Sequence, residues 1–156
     1  MEKVDEAIYK ALRDDSVASV GIRALLGNTT TSPYNVYHAF LPEGIDFSPS
    51  GGSKGFMTYL RVSAVADMDT HPKAAWLMNL LYNITVYARA LSTVEAVLRR
   101  VRVRLDHGFG VTNPTSQAEL HNIKLESVGP SRWDDAFKVH FQTAFYRAWG
   151  RDVSMS

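Results

Sequence analysis

The chain has 156 residues, of which 46% are hydrophobic and 21% charged, and it contains no cysteine. Its 17 basic and 16 acidic side chains give a formal net charge of +1, with neither the basic excess of a dedicated nucleic-acid binder nor the acidic excess of a solvating tail. The missing cysteines exclude a disulfide scaffold and thiolate zinc sites, and no apolar run reaches the roughly 18 residues that a membrane span needs.

This length predicts one domain over residues 1–156, large enough to bury a real core. The opening MEKVDEAIYK carries charges of both signs and no apolar signal region, so a cytoplasmic product is expected. Val4, Ala7, Ile8, Ala11 and Leu12 recur at helical spacing and predict a helix over Val4 to Arg13, with Glu6, Lys10 and Arg13 on its other side. Asp14-Asp15-Ser16 interrupts it. A shorter helix is expected from Val17 to Leu26, weakened by Gly21 and stopped by Gly27-Asn28. Asn28 to Pro33 reads as a loop, and Tyr34 to Phe40 as a short strand ending at Pro42. Glu43 to Gly55, EGIDFSPSGGSKG, has the composition of an exposed, mobile loop.

In Phe56 to Met68, Leu60, Val62, Ala64 and Ala66 alternate with Tyr59, Arg61, Ser63 and Val65 and predict a strand. A polar connection, Asp67 to Lys73, leads into Trp76 to Arg89, where Met78, Leu80, Tyr82, Ile84, Val86 and Ala88 share one face. Leu77, Leu80, Leu81 and Ile84 also fit a helix, but the run Ile84-Thr85-Val86-Tyr87 favours a strand. Ser92 and Glu95 match a capping box ahead of the stripe Val94, Val97, Leu98, Val101 and Leu105, which predicts a long helix ended by Gly108. After the loop GFGVTNPTSQ come Ile123, Leu125 and Val128, then the turn GPSRWDD. Spacing leaves Ala136 to Trp149 open. Phe137, Val139, Phe141, Thr143 and Phe145 alternate, while Phe137, Phe141, Ala144, Phe145, Ala148 and Trp149 fit a helix.

No constellation for catalysis, metal ligation or cofactor binding stands out. His38, His71, His107, His121 and His140 are scattered, without the converging spacing that a metal needs. Gly51 to Gly55, GGSKG, lacks the spacing of a phosphate loop, and no GxSxG or SxxK motif is present. The sequons at Asn28 and Asn83 carry little meaning without secretion. Arg99, Arg100, Arg102 and Arg104 spread around the solvent side of their helix, which favours a solvated face shielding the core over a DNA-facing stripe.

The candidate functional residues are those that a monomer leaves over. Leu77 and Leu81 lie opposite Met78, Leu80 and Tyr82 on their strand. Helices of a chain this size cover one sheet face, so the other needs a loop or another subunit. Val103 lies opposite the apolar stripe of its helix. Leu77, Leu81 and Val103 are therefore the candidate subunit-interface residues. Asp67, Asp69 and Lys73 mark the candidate tip of a protruding hairpin, whose strands of about ten residues each span roughly 33 Å.

The order of elements resembles a known family. A helix is followed by a short one ending in LLGN and a strand after SPY; then come a long strand pair, GFMTYLRVSAV and LLYNITVYARAL, the helix STVEAVLRRVRVRLDHG, and a final pair, HNIKLESV and WDDAFKVHFQTAFYRAW. This pattern is similar to the tail-completion or tail-terminator proteins of long-tailed bacteriophages and gene transfer agents. The likeness covers nearly the whole chain and rests on pattern and order, because the family has no catalytic signature. The Glu43 to Gly55 loop is longer than the connection it implies.

The resemblance implies an α+β fold, a mostly antiparallel sheet with the N-terminal helix and one long capped helix packed on one face. It makes Phe137 to Tyr146 a strand. It also implies a structural virion protein of the neck, made in the host cytoplasm, that forms a hexameric ring. The ring ends tail growth and joins tail to head. The implied partners are further copies of the chain, the major tail-tube protein and head-closure or connector proteins. Double-stranded DNA passes through without sequence-specific binding, which suits a chain that neutralises few phosphates. No cofactor and no membrane are implied. Two alternatives remain open: a head-closure ring one layer nearer the capsid, and a small hydrolase using Asp67, Asp69 or His71.

Overall fold

A strand with an apolar residue at every second position can bury one side only against something that brings its own apolar stripe, and the two amphipathic helices supply it. The computed structural model describes residues 2–66, 77–106, 111–112 and 118–152. Helix α1 (Glu2–Arg13) buries the predicted stripe of Val4, Ala7, Ile8, Ala11 and Leu12.

Helix α2 (Ile22–Leu26) begins later than the sequence suggests. A Cβ on Gly21 would stand 2.6 Å from the Val17 carbonyl and 2.8 Å from that of Asp15, so the chain doubles back tightly before the helix starts. Gly27 ends α2 in the left-handed conformation, φ 77°, with its N–H donated to the carbonyl of Ala24. Strand β1 (Val36–His38) is shorter than Tyr34 to Phe40 because Tyr34, Asn35 and Ala39, at φ 58°, 64° and 63°, leave the extended region on both sides of it.

Strands β2 (Gly55–Ala66) and β3 (Leu77–Ala88) pair antiparallel from Gly55 opposite Ala88 to Ala66 opposite Met78. A bulge between Arg61 and Ser63 breaks the predicted alternation of β2. Leu60 stands opposite Asn83, whereas Ala64 stands opposite the buried Leu80, so the two lie on different faces.

Helix α3 (Leu91–Leu105) carries the expected buried stripe, yet the capping box at Ser92 and Glu95 does not form. The helix starts at Leu91, one residue before Ser92, and its N-cap is Ala90, whose carbonyl accepts from the N–H groups of Thr93 and Val94 at 3.1 and 3.3 Å. Ser92 therefore sits inside the first turn, where it cannot cap. The far end lies at Asp106, which turns extended ahead of Gly108.

Strands β4 (Val111–Thr112) and β6 (Arg132–Asp134) occupy stretches that read as loop and turn. Strand β5 (Ala118–Val128) follows the first, and β7 (Val139–Asp152) resolves the ambiguous last segment as a strand. The sheet runs in the order β1-β2-β3-β7-β5-β4, with β6 also paired to β7; only the β1–β2 pair is parallel. Strands β3 and β5 flank β7 antiparallel, so they run parallel to each other and need the crossover that α3 provides. The fold is α+β. Its core lies between the helices and the inner sheet face, where Leu80, Tyr82, Ile84, Val86 and Ala88 of β3 meet Ala144, Tyr146 and Ala148 of β7.

Candidate functional site

The outer sheet face is the side that none of the described helices covers. Leu81 stands on it, partly buried, between Ser63 of β2 and Arg147 of β7. Around it the strands present residues that no core would choose: Val65 is 63% exposed, and Asn79, Asn83, Phe145 and Trp149 remain partly accessible. Polar groups here satisfy one another sideways along the sheet. Arg147 donates to Asn79 Oδ1 at 2.8 Å and forks onto Glu126 at 3.0 and 3.1 Å. The hydroxyls of Thr85 and Thr143 share a hydrogen bond of 2.8 Å across β3 and β7. A hollow of about 370 Å³ beside the Arg147–Glu126 pair is lined by Lys124, Leu125 and Trp149 as well.

The other end of this face is covered by a loop. Phe47, inside Glu43 to Gly55, meets Phe56 edge-on with ring centroids 5.2 Å apart and lies 5.6 Å from Phe137. Tyr87 stacks on Phe141 at 5.8 Å. The loop whose composition reads as exposed and mobile thus carries an aromatic anchor. Asn35, buried and in the left-handed conformation, ties down its end, with Nδ2 3.0 Å from Ser53 Oγ and 3.1 Å from the Gly55 carbonyl.

On the helical side, two of the four arginines read as a solvated face hold the layer together. Arg100 forks onto Asp15 at 2.7 and 2.9 Å, and the same carboxylate accepts the N–H of Ile22 at 2.9 Å. Arg104 donates to the Ala11 carbonyl at 3.1 and 3.2 Å, satisfying an acceptor in the last turn of α1. Arg99 stays exposed, as does Arg102. Val103 is 66% exposed and lines a groove of about 240 Å³ with Val20, Leu25 and Ala96.

The perturbed acidities fix resting charge states. Burial pushes the Asp15 carboxyl up, but the bonds from Arg100 and Ile22 outweigh it and hold the group below its ordinary value. Burial, then the charge of Asp5, raises the Tyr82 phenol well above its usual range, and its hydroxyl donates to Asp5 at 2.8 Å. Tyr146 is pushed up to about 12, chiefly by burial. A general acid or base needs a value drawn toward neutrality, and each of these moves away from it.

Of the residues singled out by the sequence, Leu81 and Val103 lie on opposite layers, on the sheet and on α3. Leu77 occupies the first position of β3, opposite Arg151. Asp67, Asp69 and Lys73, with His71, fall outside the described residues. Among the described residues no group of three or more acidic, histidine or cysteine side chains could hold a metal ion, and no helix is long and apolar enough to cross a membrane.

No known protein-family profile matches the chain, and no curated protein does. Its fold does have a counterpart: over 96% of this chain and 96% of the other, the structure superposes with a TM-score of 0.64 and 18% identity on a chain from the virion of a native gene transfer agent particle.

Proposed function

We propose that this chain is a structural, non-enzymatic virion protein that assembles with other virion proteins, as the tail-terminator type of ring at the head-proximal end of a tail tube. One observation carries the reading: the fold is shared over nearly the full length of both chains with a component of a gene transfer agent virion. The surfaces support it. A part whose work is assembly needs interfaces, and the open end of the outer sheet face offers Leu81 and Val65 with polar groups already paired among themselves. In this reading Leu77, Leu81 and Val103 contribute to contacts between copies in a hexameric ring, and Asp67, Asp69 and Lys73 tip a hairpin that reaches beyond the helical layer. The tail-tube protein and the head-closure or connector proteins bind the ring's two rims, and DNA passes through its lumen.

The test is Leu81→Arg, followed by sedimentation and by thermal unfolding. The expected outcome is a folded monomer that no longer forms rings, because an unpaired charge enters the contact while the inner core is untouched. Particles made with this variant should carry tails that fail to join heads or vary in length. An unfolded monomer would place Leu81 in the core, and normal particles would remove this face from assembly.

A further inference from the structure

A protruding ring on one side of the molecule matches a groove on another. Phe40 is 81% exposed, the highest value of any large apolar side chain among the described residues. It is held out by a three-residue turn, closed by its own N–H on the His38 carbonyl at 2.7 Å around Ala39 at φ 63°. Phe40 and the exposed Glu43 both line a hollow of about 490 Å³.

The groove between α2 and α3 has the reciprocal character. Its walls are Val20, 51% exposed, Leu25, Ala96 and Val103, and its rim carries the exposed Arg99. Its volume, about 240 Å³, admits one aromatic ring. The groove shares no lining residue with the hollow beside Phe40. One site therefore presents an aromatic knob next to a carboxylate, and the other an apolar slot next to a guanidinium.

We propose that Phe40 of one copy of this chain seats in the Val20–Val103 groove of a second copy, with Glu43 meeting Arg99. Knob and groove differ, so the contact is heterologous: every copy offers both halves and the chain of contacts continues until a ring closes. A buried aromatic beside an Arg–carboxylate pair is the composition of an interface hot spot. The inference rests on the reading that copies of this chain assemble, and it names which two surfaces join them.

The absence of cysteine makes the test clean. The full-length double variant Pro42→Cys/Arg102→Cys, at exposed positions that flank the two halves and leave Phe40, Glu43, Arg99 and Val103 in place, should give a ladder of cross-linked species with a short bismaleimide. A mixture of the two single variants should stop at dimers, and each single variant alone should give none. Separately, Arg99→Glu should weaken assembly by about tenfold or more, with recovery in Arg99→Glu/Glu43→Arg. Unmodified protein that sediments as an oligomer, together with a double variant that gives no ladder, overturns this contact and leaves the assembly reading standing. Unmodified protein that stays monomeric at every concentration overturns both.

Discussion

The inner and outer faces of the sheet are built from the same strands and solve opposite problems. On β3, Leu80, Tyr82, Ile84, Val86 and Ala88 are fully buried beneath the helices, and the polar atom among them, the Tyr82 hydroxyl, is taken up by Asp5 from α1. One residue along, Asn79, Leu81, Asn83, Thr85 and Tyr87 share the outer face, where Asn79 and Thr85 bond to Arg147 and Thr143 of β7 and Leu81 and Tyr87 are left partly accessible. The inner face is finished within one chain. The outer face is finished at one end by Phe47, while at the other end Leu81 and the exposed Val65 stand among Ser63, Asn79 and Arg147 with no covering element among the described residues. The difference separates folding from assembly: a change on the inner face should cost stability, and one on the outer face should cost contacts.

The largest effect is expected where the helical layer is fastened down. Asp15→Ala removes the partner of Arg100 and the acceptor of the Ile22 N–H, and should cost about 3–5 kcal/mol in denaturant unfolding. The pH dependence has a definite sign. Asp15 titrates below its ordinary 3.8 in the fold, so the unfolded chain takes up this proton first as pH falls. Its contribution is complete above that ordinary value and is lost as pH falls through the folded one. The stability gap between wild type and Asp15→Ala should therefore be flat at neutral pH and close below about pH 4.

Leu80→Ala and Leu81→Ala compare the two faces directly. The first should cost about 2–5 kcal/mol through the cavity it leaves, and the second no more than about 1 kcal/mol in the monomer. Equal costs would erase the distinction between the faces. Gly21→Ala should cost about 1–3 kcal/mol, because the atoms that its Cβ would meet are backbone and cannot turn aside. The smallest effect is expected from Thr85→Val, about 0.5–1.5 kcal/mol, because it strands the Thr143 hydroxyl; adding Thr143→Val should return most of that loss.

Much of the inner face was legible because its signals are local. A helix stripe repeats every three to four residues and a strand every two, so α1, the body of α3 and β3 can be read within windows of a dozen residues. The same alternation put Leu81 opposite the core residues. The assignments that failed depended on single backbone events. The bulge at Arg61–Ser63 moved Leu60 to the other face, the start of α3 at Leu91 disarmed the Ser92–Glu95 pattern, and the tight approach at Gly21 removed the first turn of α2.

Taken alone, side-chain periodicity along the chain determined α1, the body of α3, the strand β3 and the leftover apolar residues Leu81 and Val103, whereas the α+β class and the strand character of the last segment came from the resemblance in element order. Only the tertiary structure decided which charges are structural. Asp15 and Arg100 lie 85 positions apart, and nothing in either neighbourhood marks them as a buried pair. The short strands β1, β4 and β6 exist because a long neighbour offers unpaired backbone groups, a cause that lies outside their own residues. Phe47 looked like one apolar residue in a glycine-rich loop until Phe56 and Phe137 were brought beneath it. Contacts between distant segments depend on how the whole chain closes, and a sequence window holds no record of that closure.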